Sequence, residues 1–167
     1  MANRNTMARA AHDLGLAGWF GGSLMGAAGI NGMARKEGQT ATSVRVANEA
    51  WRRWSPVWAA SLLLHGIGAA KLTTANTDRM KRQEGVASTA MAKAALTVGA
   101  LVASGYARLL ARGLPEDTPP TREQTARRTR LARVQWAVPV LLAGVVAINA
   151  RMGEDQRPDA MAEGLRR

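Results

Sequence analysis

A run of 21 residues without a charge, residues 14–34 (LGLAGWFGGSLMGAAGINGMA), constrains the fold of this chain most, because seven of the 21 are glycine. Each interior glycine costs a helix in water roughly 1 kcal/mol relative to alanine. In a bilayer the backbone has to hydrogen-bond to itself, and small residues let neighbouring helices approach closely. The run therefore predicts a tightly packed transmembrane helix.

The glycines of this run are spaced so that most of them share one helix face. At about 100° per residue they form a narrow stripe, and Ala27, about 140° from Gly22, is expected on the opposite side. We expect the stripe to pack against the small residues of a third span, around Gly99, or against a second copy of the chain. The stripe consists of Gly15, Gly18, Gly22, Gly26 and Gly29.

Charged residues cluster between apolar runs, which predicts an all-α integral membrane bundle of four transmembrane helices. Further uncharged runs cover residues 54–70, 94–107 and 134–150. A bilayer needs about 20 apolar residues, and basic residues near the ends of a shorter span can snorkel. We predict one domain over residues 1–152, with spans at about 14–34, 56–75, 87–111 and 134–150, and a polar, disordered tail over residues 153–167. A soluble helical bundle is the alternative.

The net charge of +11 is carried mostly by arginine and flanks the apolar runs. That distribution is typical of contacts with anionic lipid headgroups, and we expect no nucleic-acid partner. We interpret the chain as a multi-pass protein of a bacterial inner (plasma) membrane. Arg4 and Arg9 before an apolar run resemble the start of a secretory signal, but the run is too long and too rich in glycine to suggest cleavage.

Residues 42–54 have the periodicity of a short amphipathic helix lying in the membrane interface between the first two spans. Ser55 and Pro56 then form a helix-start signal for the second span. Aromatic residues beside the first and third loops predict a belt on one leaflet. The belt consists of Trp51, Trp54, Trp58, Tyr106 and Trp136.

His12 and His65 are the only histidines, and a histidine pair in a helical bundle is a candidate ligand set for a haem or metal. Measured from the end of the first span and the start of the second, they lie about 33 Å and about 13 Å deep at 1.5 Å per residue. That separation excludes a shared ligand, so we expect no metal site and no cofactor. His65 alone remains a candidate ligand or proton carrier. A hydrogen bond to a neighbouring helix is the favoured interpretation, as it is for Asn31 and Gln135.

Residues 11–23, AHDLGLAGWFGGS, resemble small uncharacterised four-span membrane proteins of high-GC bacteria. More loosely, they are similar to the copper-resistance D-like helical families, whose first helix carries a histidine before a Trp-x-Gly-Gly pattern. Here those residues are His12, Trp19, Gly21 and Gly22. The segments WRRWSPVWAA and VQWAVPVLLAG are also similar to the uncharacterised group. The resemblance implies a four-helix membrane fold and transfers no activity.

These features favour a non-enzymatic membrane protein, an accessory or self-associating subunit of a membrane assembly. Its expected partners are a bilayer with anionic lipids and either further copies of the chain or other membrane subunits. The sequence contains no phosphate-binding loop, nucleophile elbow or zinc-protease motif, and we assign no catalytic residue. One alternative is a small transport or redox membrane protein that uses His65. Another is a soluble, basic, helical protein that binds nucleic acid.

Overall fold

The computed structural model describes residues 5–38, 40–82, 85–112, 114 and 120–154. Within these ranges the chain is helical and contains no strand, so the all-α fold class is confirmed. The predicted disordered tail lies outside the described residues apart from Gly153 and Glu154, which end the last helix. The elements are α1 (Thr6–Met25), a π-helical segment (Gly26–Ile30), α2 (Asn31–Lys36), α3 (Ala41–Ala75), α4 (Thr77–Arg82), α5 (Val86–Ala111) and α6 (Arg122–Glu154).

A tight turn joins α2 to α3 and makes the first half of the chain an antiparallel helix pair. Gly38 adopts φ 70°, a left-handed conformation that ends α2 without steric strain because glycine has no Cβ. Thr40 then caps α3, since its Oγ1 accepts a hydrogen bond from the Ser43 N–H at 3.3 Å.

Helix α3 continues without a break through Pro56, which corrects two predictions. No separate interfacial helix exists over residues 42–54, and Ser55 and Pro56 do not begin a helix. Proline removes one N–H from the helix ladder. The Ser55 Oγ donates to the Trp51 carbonyl at 3.0 Å, within the same turn. The local signal for a helix start was therefore overridden by the packing of α3 against α1 on both sides of Pro56.

The π-helical segment shifts the side chains that follow it. The Asn31 N–H donates to the Gly26 carbonyl, five residues earlier, so the turn holds one extra residue. One residue corresponds to a rotation of about 100°. Gly29 consequently faces the Met25 side chain of its own helix, and Ala27 is only 1% exposed. The expectation that Ala27 lies on an open or loosely packed face was wrong, because the helix packs on more than one side.

The second half of the chain is another antiparallel pair, α5 and α6. The side chain of Gln124 accepts from the Thr121 N–H at 2.8 Å, and Thr121 Oγ1 accepts from the Gln124 N–H at 3.2 Å, which caps α6. Arg127 of α6 donates to the carbonyls of Leu109, Leu110 and Arg112 at 2.6–2.9 Å, which satisfies the end of α5. Pro139 is buried inside a continuous α6.

The extensive helix–helix contacts run in the order α3–α1–α6–α5. Helix α1 is central and packs on both α3 and α6, and the cluster of buried side chains lies between α1, α5 and α6. The prediction that α5 covers the glycine face of α1 was wrong, because α3 covers it. The buried cluster consists of Leu16, Trp19, Ala100, Val138, Leu142 and Val145.

Two helices in the described ranges are long and apolar enough to cross a membrane by length and composition, α5 and α6. Only 6% of the apolar stretch of α5 and 22% of that of α6 is buried inside the protein.

Candidate functional site

Two glycines bring the backbones of α1 and α3 into contact around the histidines. A Cβ on Gly68 would lie 2.5 Å from the His12 nitrogen and 2.6 Å from the Ala8 carbonyl oxygen. A Cβ on Gly15 would meet the backbone of His65 in the same way. Each helix therefore contributes a glycine where the other contributes a histidine, and the two backbones approach more closely there than any side chain would allow.

His12 and His65 form a buried pair, contrary to the sequence-based expectation that they lie far apart. Their ring centroids are 4.4 Å apart with an interplanar angle of 38°. The two residues are 2% and 3% exposed. Trp19 presents its ring to His65 in an edge arrangement at 6.1 Å.

The position of the helix turn explains why the depth argument failed. The predicted depth of His65 assumed that its helix begins at Pro56, whereas α3 begins at Ala41. The sequence midpoint between the two histidines falls between residues 38 and 39, in the turn itself. Because both arms of an antiparallel pair rise 1.5 Å per residue, positions equidistant from the turn lie at the same depth.

The hydrogen bonds of the pair fix which ring nitrogens are available. The Nδ1 of His12 lies 2.8 Å from the Asp13 carboxylate, and the Nδ1 of His65 lies 3.2 Å from the His12 carbonyl oxygen. Because both partners are acceptors, each Nδ1 carries a proton and donates, which leaves Nε2 of a neutral ring as a lone pair. The Nε2 of His12 is buried and has no partner in the described part of the chain.

This hydrogen-bond pattern resembles the outer shell of a metal site, in which each ligating histidine donates its other N–H to a carboxylate or carbonyl. In the described ranges, no group of three or more potential metal ligands surrounds the pair. The arrangement can hold a proton or contribute two nitrogens to a ligand.

Side chains of α3 also cover three further glycines of the predicted stripe. The Trp54 indole lies against Gly22 and the Trp51 indole against Gly26, so neither glycine can accept a side chain without displacing a ring. Gly18 faces the Ser61 hydroxyl. The structure thus brings four of the five glycines of the predicted stripe against α3, and Gly29 is the exception.

Asn31 connects three helices at the end of the π-helical segment. Its Oδ1 accepts from Trp51 Nε1 at 3.1 Å, and its Nδ2 donates to Gln135 Oε1 of α6 at 2.8 Å. The predicted interhelical hydrogen bonding of Asn31 and Gln135 is confirmed. The one-residue shift of the π turn sets the direction in which Asn31 points.

An open cavity of about 470 Å³ lies beside this network and is lined by residues of α1, α2, α3, α5 and α6. The Arg108 guanidinium stacks over the Trp58 ring at 3.9 Å from its centroid, which links α5 to α3 at this end of the protein. No aspartate, glutamate or lysine lines the cavity among the described residues. Its charged and aromatic lining consists of Arg35, Arg52, Arg108, Arg112, Arg128, Trp51, Trp54 and Trp58.

Among these arginines, Arg52 has a carboxylate partner in Glu49. Glu49 also accepts from Arg53 Nε at 2.7 Å. The two guanidinium groups hold the pKa of the Glu49 carboxyl below its ordinary value. That carboxylate lies outside the cavity lining, so it does not change the sign of the cavity's charge.

The five residues of the predicted aromatic belt separate into two groups. Tyr106 and Trp136 are exposed, and the belt stays a prediction for them. Trp51, Trp54 and Trp58 line the cavity instead. Sequence reasoning missed the cavity because it treated the arginines as separate flanks of separate spans. The sequence did contain a usable signal. In an antiparallel bundle the first and third loops lie at the same end, so the arginines and tryptophans beside those two loops are brought together.

Comparison of the chain with protein-family models, curated proteins and solved structures finds no match.

Proposed function

We propose that this chain is a multi-pass integral membrane protein with a non-enzymatic role, an accessory or self-associating subunit of a membrane assembly. The proposal includes four membrane crossings and insertion in a bacterial inner membrane. It assigns no catalytic residue and no cofactor.

The observation that carries the proposal is an inverted distribution of polar and apolar residues. The polar side chains of His12, Ser61, His65 and Ser104 are buried between helices. Large apolar side chains point outward from all four long helices, and several are more than half exposed. They include Leu14 and Met25 of α1, Leu63 and Ile67 of α3, Val98 and Val102 of α5, and Val140 of α6. A bilayer accepts this arrangement, whereas water does not.

The low burial of α5 and α6 argues against the soluble alternative. An apolar helix in a soluble protein is apolar because it lies in the core, so most of it is buried. Here the apolar stretch of α5 is 6% buried. Leaving that surface in water would cost about 25 cal/mol for each Å² of apolar area.

The length of α3, and the packing of α1 along α3 and α6, support membrane crossings by these two helices. Helix α3 has 35 residues, so it is about 52 Å long, compared with a hydrocarbon core of about 30 Å. It is long enough to span the core and to extend beyond it with its charged first third. Because α1 packs along α3 and α6, it occupies the same layer as the other three long helices.

A partner surface on α5 supports the subunit role. Helix α5 packs extensively only against α6, so most of its surface faces outward. Gly105 on that helix has no atom within 4 Å of the position a Cβ would take. An open small residue among exposed Val102 and Leu109 allows close approach of another helix.

Membrane fractionation tests the proposal. Expressed in a bacterial host, the chain should remain in the membrane pellet after extraction with alkaline carbonate and with high salt, and only detergent should release it. Release into the supernatant by carbonate or salt would contradict it and favour a soluble protein.

The histidine pair favours a second candidate function, a small transport or redox membrane protein. The specific observation is that both Nδ1 atoms are hydrogen-bonded to acceptors, which leaves Nε2 as the lone-pair nitrogen of each neutral ring. Equilibrium dialysis of detergent-purified protein against Zn²⁺ distinguishes the two functions. This candidate requires stoichiometric binding that His12→Ala and His65→Ala both abolish, whereas the accessory role predicts none.

A further inference from the structure

We infer that the tryptophan–arginine cavity binds one anionic phospholipid, with the phosphate among the arginines and the start of an acyl chain along the tryptophans. The inference uses the membrane location of the proposed function but adds a specific site to it.

The lining of the cavity carries a net positive charge. Five guanidinium groups line a volume that would be about 10 Å across as a sphere, which is comparable to the Debye length of about 8 Å at physiological salt, so salt screens neighbouring groups only in part. Arg35, Arg108 and Arg112 have no ion pair with any carboxylate of the described residues. An anion relieves their mutual repulsion, and guanidinium groups match the geometry of phosphate oxygens.

The other wall of the cavity is apolar and aromatic. Trp51, Trp54 and Trp58 present indole rings, and Val138 and Leu131 add aliphatic surface from α6. A ligand that satisfies both walls is amphipathic, and its polar part offers acceptors. Phosphate and ester carbonyl groups joined to an acyl chain have that chemistry.

The location of the cavity suits a lipid headgroup. The α2–α3 turn and the start of α6 lie at the same end of the protein as Arg108. At that end α3 and α6 extend past their apolar segments, and charged residues begin. Apart from the Arg108 and Trp58 contact, α3 and α5 do not pack extensively on each other. A chain can therefore leave the cavity between them toward the hydrocarbon.

Fluorescence quenching by brominated lipids tests the inference in detergent solution, independently of membrane fractionation. The exposed indole outside the cavity is first removed with Trp136→Phe. Dibrominated phosphatidylglycerol should then quench the remaining fluorescence at concentrations at least about tenfold below dibrominated phosphatidylcholine. Both lipids carry the phosphate, but phosphatidylcholine also carries a choline cation, which the cavity arginines repel. Equal quenching by the two lipids would overturn the inference.

A charge-matched pair of double variants locates the site. Arg35→Gln with Arg108→Gln removes two cavity arginines and should weaken phosphatidylglycerol quenching about tenfold or more. Arg45→Gln with Arg133→Gln removes two exposed arginines outside the cavity and should weaken it less than twofold. An equal loss in both double variants would show general charge attraction and contradict a site.

Inorganic phosphate separates a lipid from a free anion. Phosphate at millimolar concentration should displace the brominated lipid poorly, because it lacks the chain that the tryptophans contact. Full displacement at that concentration would assign the cavity to free phosphate and overturn the lipid. If the Arg35 and Arg108 variant does not purify folded, the selectivity of the single Trp136→Phe protein between the two lipids decides alone.

Discussion

Replacing Gly68 with alanine tests the close approach of α1 and α3 with the smallest possible perturbation. The added Cβ would lie 2.5–2.7 Å from the nitrogen and Cα of His12 and from the Ala8 carbonyl oxygen. These are backbone atoms, so no side-chain rotation relieves the overlap. The helices have to move apart, and the separation loosens the contact between the two histidine rings.

The expected cost follows from packing data on other proteins. Inserting a methyl group into a packed site costs about 1–3 kcal/mol. For a protein of this size that corresponds to a decrease in the melting temperature of roughly 2–12 °C. The measurement is thermal unfolding of the detergent-purified protein, followed by circular dichroism.

Gly66→Ala is the matched control, because Gly66 lies two residues away on the same helix and nothing lies within 4 Å of its Cβ position. Its substitution reports helix propensity alone and should be neutral or stabilising by up to about 1 kcal/mol. If Gly68→Ala is as harmless as Gly66→Ala, the two backbones do not approach closely and the reasoning about the histidine pair is refuted.

Three further predictions concern polar contacts. Purified wild-type protein should show no haem absorption band, and His65→Ala should lower the melting temperature; a stoichiometric haem spectrum lost in that variant would contradict this. Asn31→Leu should cost about 1–3 kcal/mol by leaving both Gln135 and the Trp51 indole N–H without their partner. Asn31→Leu with Gln135→Leu should recover the part due to Gln135 in the same melting assay. Arg127→Gln should speed hydrogen exchange in the last turn of α5, because it removes three hydrogen bonds to carbonyls there. Arg130→Gln removes the same charge from an exposed position and should not change the exchange rate. Equal rates in the two variants would show that the carbonyl contacts do not hold that turn.

The helices themselves were predictable because the local signals for them are strong. Charge segregation and apolar periodicity indicate helices over the observed ranges, and Asn31 and Gln135, as polar residues in apolar runs, had to find partners. These predictions depend on the composition of single segments and need no knowledge of the turns.

The register between helices was not predictable from the same signals. Ser55 and Pro56 have the composition of a helix start, but proline is also tolerated inside a long packed helix. Choosing the wrong start displaced His65 by about 20 Å relative to His12. The π turn after Gly26 had a similar effect on Gly29, because no sequence pattern signals one extra residue in a turn.

The cavity was not predictable because it depends on how three helices are arranged relative to one another. Arg35, Arg108 and Arg128 belong to three different helices and share a site only because alternate loops lie at one end of the bundle. Each arginine alone is an ordinary flanking charge, so composition could indicate anionic lipid in general but could not indicate a binding site.

Accessibility of single cysteines tests the central claim of four crossings most directly. The chain has no cysteine, so Gln39→Cys, Asn76→Cys and Thr118→Cys each introduce one reactive site. A membrane-impermeant thiol reagent is applied to intact cells and to inverted membrane vesicles. Four crossings predict that the cysteines at positions 39 and 118 react from one side and the cysteine at position 76 from the other. Reaction of all three from the same side would contradict four crossings.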